Sequence, residues 1–159
     1  VTSDLTSEEL KIYGLDVYKP DSLGSVSVQE IFRVAKECFE TPGSLFADTG
    51  CAHSCALIHR GTVLCQMEDI GRYNALDKVI GYAVKQQIPF SESYVFASGR
   101  ISLGYIQKAA TAGFPMVVSR AAVTKAAVDF AKEKNKTLVG FIRKNSGNIY
   151  NEGKVQLHE

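Results

Sequence analysis

The fold of this chain is indicated most clearly by the stretch Glu68-Asp69-Ile70-Gly71-Arg72-Tyr73-Asn74-Ala75-Leu76-Asp77-Lys78, which holds five charged side chains and a glycine. Residues 63–67 before it are mostly apolar and predict a strand, and residues 79–84 after it predict a buried helix. The charges therefore lie where a strand ends and a helix begins. In α/β sheets this junction is the usual place for ligands to bind.

A regular alternation of helix and strand patterns surrounds this junction. Residues 27–40 combine a capping box with helical apolar spacing, and residues 52–58 and 63–67 predict a hairpin. The later elements alternate as helices and strands, at residues 73–87, 94–97, 101–112, 116–119, 124–134 and 137–142. The pattern predicts an α/β fold, a three-layer α/β/α sandwich with a mixed, mostly parallel, five-stranded sheet whose first hairpin is antiparallel.

The predicted domain covers most of the chain. Residues 1–24 are polar and aromatic by turns and contain several turn formers, which predicts an arm or linker, and residues 25–159 predict one α/β domain. A chain of 159 residues with 45% hydrophobic residues is long enough to bury a core of this kind. Because the chain opens on Val1 rather than on methionine, we expect that a part of the protein precedes it.

Charge and hydropathy exclude several classes of protein. The formal net charge is +1, so we expect neither general nucleic-acid binding nor binding to a membrane surface. No apolar run has the length of a membrane span, and the first residues lack the basic and apolar parts of a signal peptide. We therefore expect a cytoplasmic protein, in which any anion-binding site is local.

The four cysteines, Cys38, Cys51, Cys55 and Cys65, form no Cys-x-x-Cys pair. In a reducing cytosol we expect free thiols, with Cys38 on the apolar face of a helix and Cys65 inside a strand. Cys51 and Cys55 with His53 between them offer an incomplete set of ligands for zinc, so we predict no metal site.

Arginines recur in the loops that follow the predicted strands. These loops are residues 68–72, 98–102, 119–121 and 143–148. Right-handed crossovers bring such loops to one edge of the sheet. Arginine side chains, helix-start amides and small residues are the groups that bind phosphate or pyrophosphate. The alternative is purely structural: Asp69 caps a helix, Glu68 pairs with Arg72, and Asp77 pairs with Lys78 or Lys85.

Several motifs resemble one known family. They are Thr49-Gly50-Cys51-Ala52-His53-Ser54-Cys55-Ala56-Leu57, residues 68–78 quoted above, Ser98-Gly99-Arg100-Ile101-Ser102, Gln107-Lys108-Ala109-Ala110 and Thr137-Leu138-Val139-Gly140-Phe141. In this order, from about residue 44 to 150, they are similar to the FdhD/NarQ family of formate dehydrogenase accessory sulfurtransferases. The resemblance implies a cytidine-deaminase-like fold and a homodimer.

The resemblance also implies a function. Members of this family pass sulfur from a cysteine desulfurase to the molybdenum bis-molybdopterin guanine dinucleotide cofactor before its insertion into formate dehydrogenase. A Cys-x-x-Cys pair upstream of the matched region carries the persulfide in the family, and this chain contains no such pair. The alternative is a non-catalytic module that binds and carries the guanine nucleotide or molybdopterin.

By resemblance and from the loops above, we expect the cofactor, or GDP as its mimic, to bind a defined set of side chains. The set is His53, Glu68, Asp69, Gly71, Arg72, Asn74, Asp77, Ser98, Arg100, Ser102, Phe141, Ile142, Arg143, Lys144, Asn145 and Ser146. If this chain carries sulfur itself, Cys51 is the candidate thiol, because it lies in a glycine turn near His53.

The chain departs from the family at four positions. Tyr73 replaces a usual histidine, Cys55 an alanine, Arg120 a small residue and Ser146 an arginine. A zinc deaminase would need a His or Cys ligand, a glutamate two residues on, and a Pro-Cys-x-x-Cys at the next helix. The helix starts at 72–74 and 99–102 hold no such ligand. We therefore predict that the site binds an anionic ligand and does not activate a metal-bound water molecule.

Overall fold

The computed structural model describes residues 23–40 and 45–159. Its strands are β1 (Ser25–Ser27), β2 (His53–His59), β3 (Thr62–Asp69), β4 (Ser93–Ala97), β5 (Met116–Ser119), β6 (Thr137–Arg143), β7 (Ser146–Asn151) and β8 (Gln156–His158). Its helices are α1 (Val28–Phe39), α2 (Leu45–Thr49), α3 (Arg72–Lys85), α4 (Leu103–Ala112) and α5 (Lys125–Glu133). The predicted arm, residues 1–24, lies outside the described residues except for its last two.

The main sheet has the strand order β3-β2-β4-β5-β6-β7, and β1 pairs with β8 in a separate parallel pair. The predicted number of five strands is therefore wrong for this sheet, which has six. The chain turns back after β6 at Lys144, whose φ is 50°, and β7 pairs antiparallel with β6. The sequence pattern missed β7 because most of its residues are exposed and polar.

Within the main sheet, as described, parallel pairing is confined to β4, β5 and β6. The helix α3 connects β3 to β4, and these two strands run in the same direction on opposite sides of β2. Since β2 runs the other way, it pairs antiparallel with both. The expectation of a mostly parallel sheet is corrected accordingly, since β2 lies between the two strands that α3 connects.

Helices cover both faces of the sheet. On one face α1 packs against alternate strand residues, and the buried cluster contains Ile31, Val34, Cys38, Ala56, Ile58, Phe96 and Val118. On the other face α3, α4 and α5 pack against the strand residues in between, and that cluster contains Cys55, Leu57, Leu76, Val95, Ala97, Ile106 and Val117. The three-layer α/β/α sandwich predicted from the sequence is confirmed.

The start of α1 follows the predicted capping pattern, because the Ser27 hydroxyl accepts a hydrogen bond from the Glu30 amide at 3.1 Å. Its apolar side is buried against the sheet, and its last turn ends at Phe39 beside the loops at the sheet edge. Within residues 23–40 and 45–159, no helix is both long and apolar enough to cross a membrane.

Candidate anion-binding site

The loops after the strands meet at one edge of the sheet. The Ser54 amide donates to the Ser98 hydroxyl at 2.9 Å, and the Ser98 amide donates to the Ser54 carbonyl at 2.9 Å. On the other side, the Arg120 amide donates to the Ala97 carbonyl at 3.0 Å. The amide of Phe141, in β6, donates to the carbonyl of Ala121 at 3.1 Å, which attaches the loop after β5 to β6. Loops far apart in sequence are therefore joined by backbone hydrogen bonds.

A cavity of about 350 Å³ lies between this edge and the helices α1 and α2. Its lining contains four of the side chains predicted from the sequence, which are His53, Glu68, Ser98 and Arg143. The volume is that of a pocket for a small organic ligand. The predicted loops therefore border a real cavity.

The cavity also contains side chains that the sequence did not assign to a site. They are Cys38, Phe39, Phe46, Ala52, Ser54 and Gln66. Arg120 also lines the cavity; it belongs to the predicted arginine-bearing loop 119–121 but not to the predicted set of ligand-binding side chains. Cys38 and Phe39 read as core residues of α1, and nothing in the sequence shows that the last turn of this helix meets the loops. Gln66 could have been predicted as a site residue, because it is a polar residue within an apolar strand. Its side-chain amide donates to the Cys38 carbonyl at 2.8 Å and to the Ser54 hydroxyl at 2.6 Å.

Other predicted residues do not line the cavity. Gly71 and Asn74 belong to the start of α3, and Ser102 precedes α4, where its hydroxyl lies 2.6 Å from the Tyr73 hydroxyl. Ile142 is buried, whereas Phe141 is 42% exposed and has a φ of 54°. Arg100, Lys144, Asn145 and Ser146 are exposed. Cys51 is exposed in the turn after α2, and its amide donates to the Thr49 hydroxyl at 3.1 Å.

The three predicted acidic residues are engaged by the protein itself. Glu68 accepts hydrogen bonds from the amides of Leu45 and Phe46, at 3.0 and 3.5 Å, at the start of α2. Asp77 accepts two hydrogen bonds from Lys108, at 2.7 and 2.8 Å. The partners of Glu68 and Asp77 differ from those that the structural alternative expected, but both carboxylates already accept hydrogen bonds from protein donors.

Asp69 binds three partners at the junction between β3 and α3. One of its oxygens accepts from the Gly71 amide at 2.9 Å and from the Asn74 side chain at 3.0 Å, and the other pairs with Lys78 at 2.8 Å. These hydrogen bonds, that from Lys78 above all, lower the pKa of Asp69 to about 2. The aspartate therefore orders the first turn of α3.

This pKa predicts a pH dependence of stability. Because the pKa of Asp69 is lower in the folded than in the unfolded chain, its contribution is complete above about pH 4 and is lost as the pH falls to about 2. We expect Asp69→Asn to reduce the loss of unfolding free energy between pH 4 and pH 2, as measured by urea titration at each pH. Asp129→Asn, which removes an exposed partner of Lys125, serves as the control. Equal slopes for Asp69→Asn and the unmodified chain would contradict this account.

The arginines of the chain divide into two groups. Arg33 pairs with Glu37 at 3.1 Å and Arg60 pairs with Glu92 at 2.7 Å. The other four, Arg72, Arg100, Arg120 and Arg143, have no carboxylate within 4.0 Å among the described residues. Arg72 is the first residue of α3, Arg143 is the last residue of β6, and Arg120 and Arg143 line the cavity. Within the described residues, these four cations therefore form no ion pair with a carboxylate, which favours an anionic ligand.

Gly99 allows the His53 ring to lie close to the backbone of the loop after β4. A β-carbon at this position would lie 2.9 Å from the His53 Nδ1 and 3.8 Å from the Arg72 β-carbon. The guanidinium of Arg72 lies 4.9 Å from the centre of the Tyr73 ring, and its Nε is buried without a hydrogen-bond partner in the described part of the chain. A buried donor of this kind is costly unless an acceptor reaches it.

The thiols differ in their ability to ionise. Burial raises the pKa of Cys38 and of Cys55 to about 12, and it also raises the pKa of Cys65. Cys51 is exposed. Within the described ranges, no three His, Cys, Asp or Glu side chains are grouped so as to hold a metal ion.

Comparison with known proteins identifies relatives of the whole domain. The model of the FdhD/NarQ family matches residues 9–155. A sulfur carrier protein FdhD from Wolinella succinogenes is 40% identical over 133 residues, which cover 83% of this chain and 46% of that protein. Its counterpart from Bacillus pumilus is 40% identical over 126 residues, which cover 79% of this chain and 48% of the relative. The chain thus spans about half the length of these curated relatives.

A solved structure agrees with the same assignment. The crystal structure of a candidate formate dehydrogenase accessory protein from Desulfotalea psychrophila superimposes with a TM-score of 0.75 at 29% sequence identity. The superposition covers 84% of this chain and 57% of the other.

Proposed function

Because this chain belongs to the FdhD/NarQ family, we propose that it is the ligand-binding part of a sulfur carrier that serves formate dehydrogenase. In this proposal the substrate is the molybdenum bis-molybdopterin guanine dinucleotide, which receives sulfur from a cysteine desulfurase and is then delivered to the enzyme. A homodimer and a cytoplasmic location are parts of the same proposal.

The observation that carries the proposal is a group of four arginines that form no ion pair with any described carboxylate, two of which, Arg120 and Arg143, line a cavity of about 350 Å³. A guanine dinucleotide carries a pyrophosphate, and planar guanidinium groups bind phosphate oxygens in pairs. The buried Nε of Arg72 supplies a donor in need of an acceptor. The serine hydroxyls and the Gln66 side-chain carbonyl of the cavity can hydrogen-bond to a purine or pterin edge; the Gln66 NH₂ group already donates to Cys38 and Ser54.

We also propose a supporting role for the carboxylates, which the sequence placed among the predicted ligand-binding residues. Since Glu68, Asp69 and Asp77 are held by amides and lysines, we assign them to the support of α2, α3 and α4 and not to hydrogen bonds with the ligand. They keep the arginine-bearing loops in place, and ligand binding then falls to the arginines, the hydroxyls and His53.

A second candidate function is a carrier module that holds the cofactor without handling sulfur. It is favoured by the thiols, because a thiol with a pKa of about 12, such as that of Cys38 or Cys55, is almost fully protonated at neutral pH and reacts slowly. In this case another part of the protein carries the persulfide. The two candidates differ in one measurable property, the presence of sulfur on this chain.

We expect a cysteine desulfurase with cysteine to add one sulfur atom to Cys51 and to no other thiol of the chain. The exposed Cys51 thiolate attacks the outer sulfur of the desulfurase persulfide, the sulfur–sulfur bond breaks, and the desulfurase cysteine leaves as a thiolate. Intact-mass spectrometry reads the added sulfur, and Cys51→Ser should lose it.

Alkylation of the native chain provides the control, because iodoacetamide should label Cys51 much faster than Cys38 or Cys55, whereas all four thiols should react after denaturation. A chain that gains no sulfur on any cysteine would exclude the sulfur-carrying function and leave the second candidate.

A further inference from the structure

Arg120 occupies a position that the family resemblance did not assign to ligand binding, yet it lines the cavity together with Arg143. Its backbone is held from both sides. The buried Ser119 hydroxyl donates to the Gly99 carbonyl at 2.7 Å and accepts from the Ala121 amide at 2.9 Å, and the Arg120 amide donates to Ala97. The base of the side chain is therefore fixed at the point where two loops meet.

The guanidinium of Arg120 forms a cation–π contact with the ring of Phe39. It lies 5.4 Å from the centre of the Phe39 ring, at the end of α1, and that ring packs edge-on against the buried Phe96 with centroids 4.9 Å apart. Stacking on a ring orients a planar guanidinium and leaves its donors free around the edge. The contact with Phe39 thus orients the Arg120 side chain without using any of its N–H groups.

Few of the N–H groups of the Arg120 side chain donate hydrogen bonds to the described part of the protein. Its contact with protein oxygen is a long one, 3.5 Å from Nη1 to the Phe39 carbonyl, and in the described ranges no carboxylate forms an ion pair with it. Glu68 lines the same cavity, but its two oxygens accept from the amides of Leu45 and Phe46. An arginine has five N–H donors, so most of those of Arg120 are available to a ligand.

We propose that Arg120 is the main phosphate-binding side chain of the cavity, with Arg143 as the second cation, and that it makes the site prefer a nucleoside diphosphate over the nucleoside. The incoming phosphate replaces the long contact to the Phe39 carbonyl with charge-assisted hydrogen bonds. This inference rests on the proposed function for the nucleoside part of the ligand, and it assigns the phosphate part to a residue of this chain.

The test compares GDP, GMP and guanosine by isothermal titration calorimetry on the unmodified chain and on variants. Loss of a charge-assisted hydrogen-bonding group costs enough that Arg120→Ala should weaken GDP binding by about tenfold or more, while guanosine binding changes by less than about twofold. Arg120→Lys should restore part of the loss, because an ammonium group keeps the charge but not the planar fork. Arg33→Ala removes a distant exposed arginine and should leave all three affinities unchanged.

Arg120→Met, which retains an unbranched stem over Phe39, replaces Arg120→Ala if circular dichroism shows that the alanine variant is unfolded. A folded variant that binds GDP as tightly as the unmodified chain would overturn the role of Arg120 and leave the proposed function intact. Equal weakening of GDP and guanosine would also overturn it. If the unmodified chain binds none of the three compounds, the nucleotide-binding function itself fails.

Discussion

Replacing Arg72 and Arg143 together with alanine is expected to weaken GDP binding by about 100-fold or more, since each charge-assisted hydrogen bond contributes about 1.5–3 kcal/mol. Arg143 lines the cavity, and Arg72 lies against Gly99, whose other neighbour is the cavity residue His53. The double variant therefore removes one cation from the cavity and one from the start of α3 beside Gly99. Neither guanidinium forms an ion pair with a described residue, so their removal leaves no buried carboxylate without a partner.

A matched control separates this local effect from the loss of two positive charges. Arg33→Ala with Lys125→Ala removes two exposed cations, each from an i,i+4 pair on a helix surface away from the cavity. The control should bind GDP within about twofold of the unmodified chain, because surface pairs of this kind contribute little. If the Arg72 and Arg143 double variant folds and binds GDP as well as the control does, these loops are not the nucleotide site.

Thr137→Val is expected to destabilise the fold by about 2–4 kcal/mol, because it leaves buried backbone groups without partners. The Thr137 hydroxyl donates to the Val155 carbonyl at 2.7 Å and accepts from the amides of Gly153 and Val155, each at 3.1 Å. The side chain is fully buried at the start of β6, and valine has nearly its shape. The substitution therefore removes hydrogen bonds without opening a cavity.

Thermal denaturation followed by circular dichroism measures this effect. For a domain of this size the loss corresponds to a fall in Tm of roughly 5–15 °C. Thr62→Val makes the same chemical change at an exposed position of β3 and should alter the unfolding free energy by less than about 0.5 kcal/mol. A Thr137→Val variant as stable as the Thr62→Val variant would show that these hydrogen bonds hold the segment 153–155 without stabilising the fold.

Local patterns predicted the elements that bury one continuous side. The apolar positions of α1 recur at helical spacing, and the runs that became β2, β4 and β5 are almost entirely apolar because these strands are covered on both faces. The strand β7 had no such signal. It lies at the sheet edge with Ile149 more than half exposed, so pairing with β6 and not burial defines it.

The loops of the candidate site were predictable in part for the same reason. Residues with special chemistry follow each apolar strand, and the topology of α/β folds places such loops together. No sequence pattern predicted which partner each charged side chain would bind. Asp77 pairs with Lys108, 31 residues away, and Glu68 holds the amides of Leu45 and Phe46, more than 20 residues before it. These partners depend on the packing of α3 against α4 and of α2 against β3.

The order of apolar and polar residues along this chain was enough to specify the layers, most of the strands and the arginine-bearing loops, because helical and strand periods are properties of neighbouring residues. The cavity depended on the tertiary structure. Its walls join Phe39 of α1 to Arg120 of the loop after β5, which are 81 residues apart and whose contact arises only when α1 packs across the sheet. Distances between such residues follow from the packing of whole elements, which no local pattern encodes.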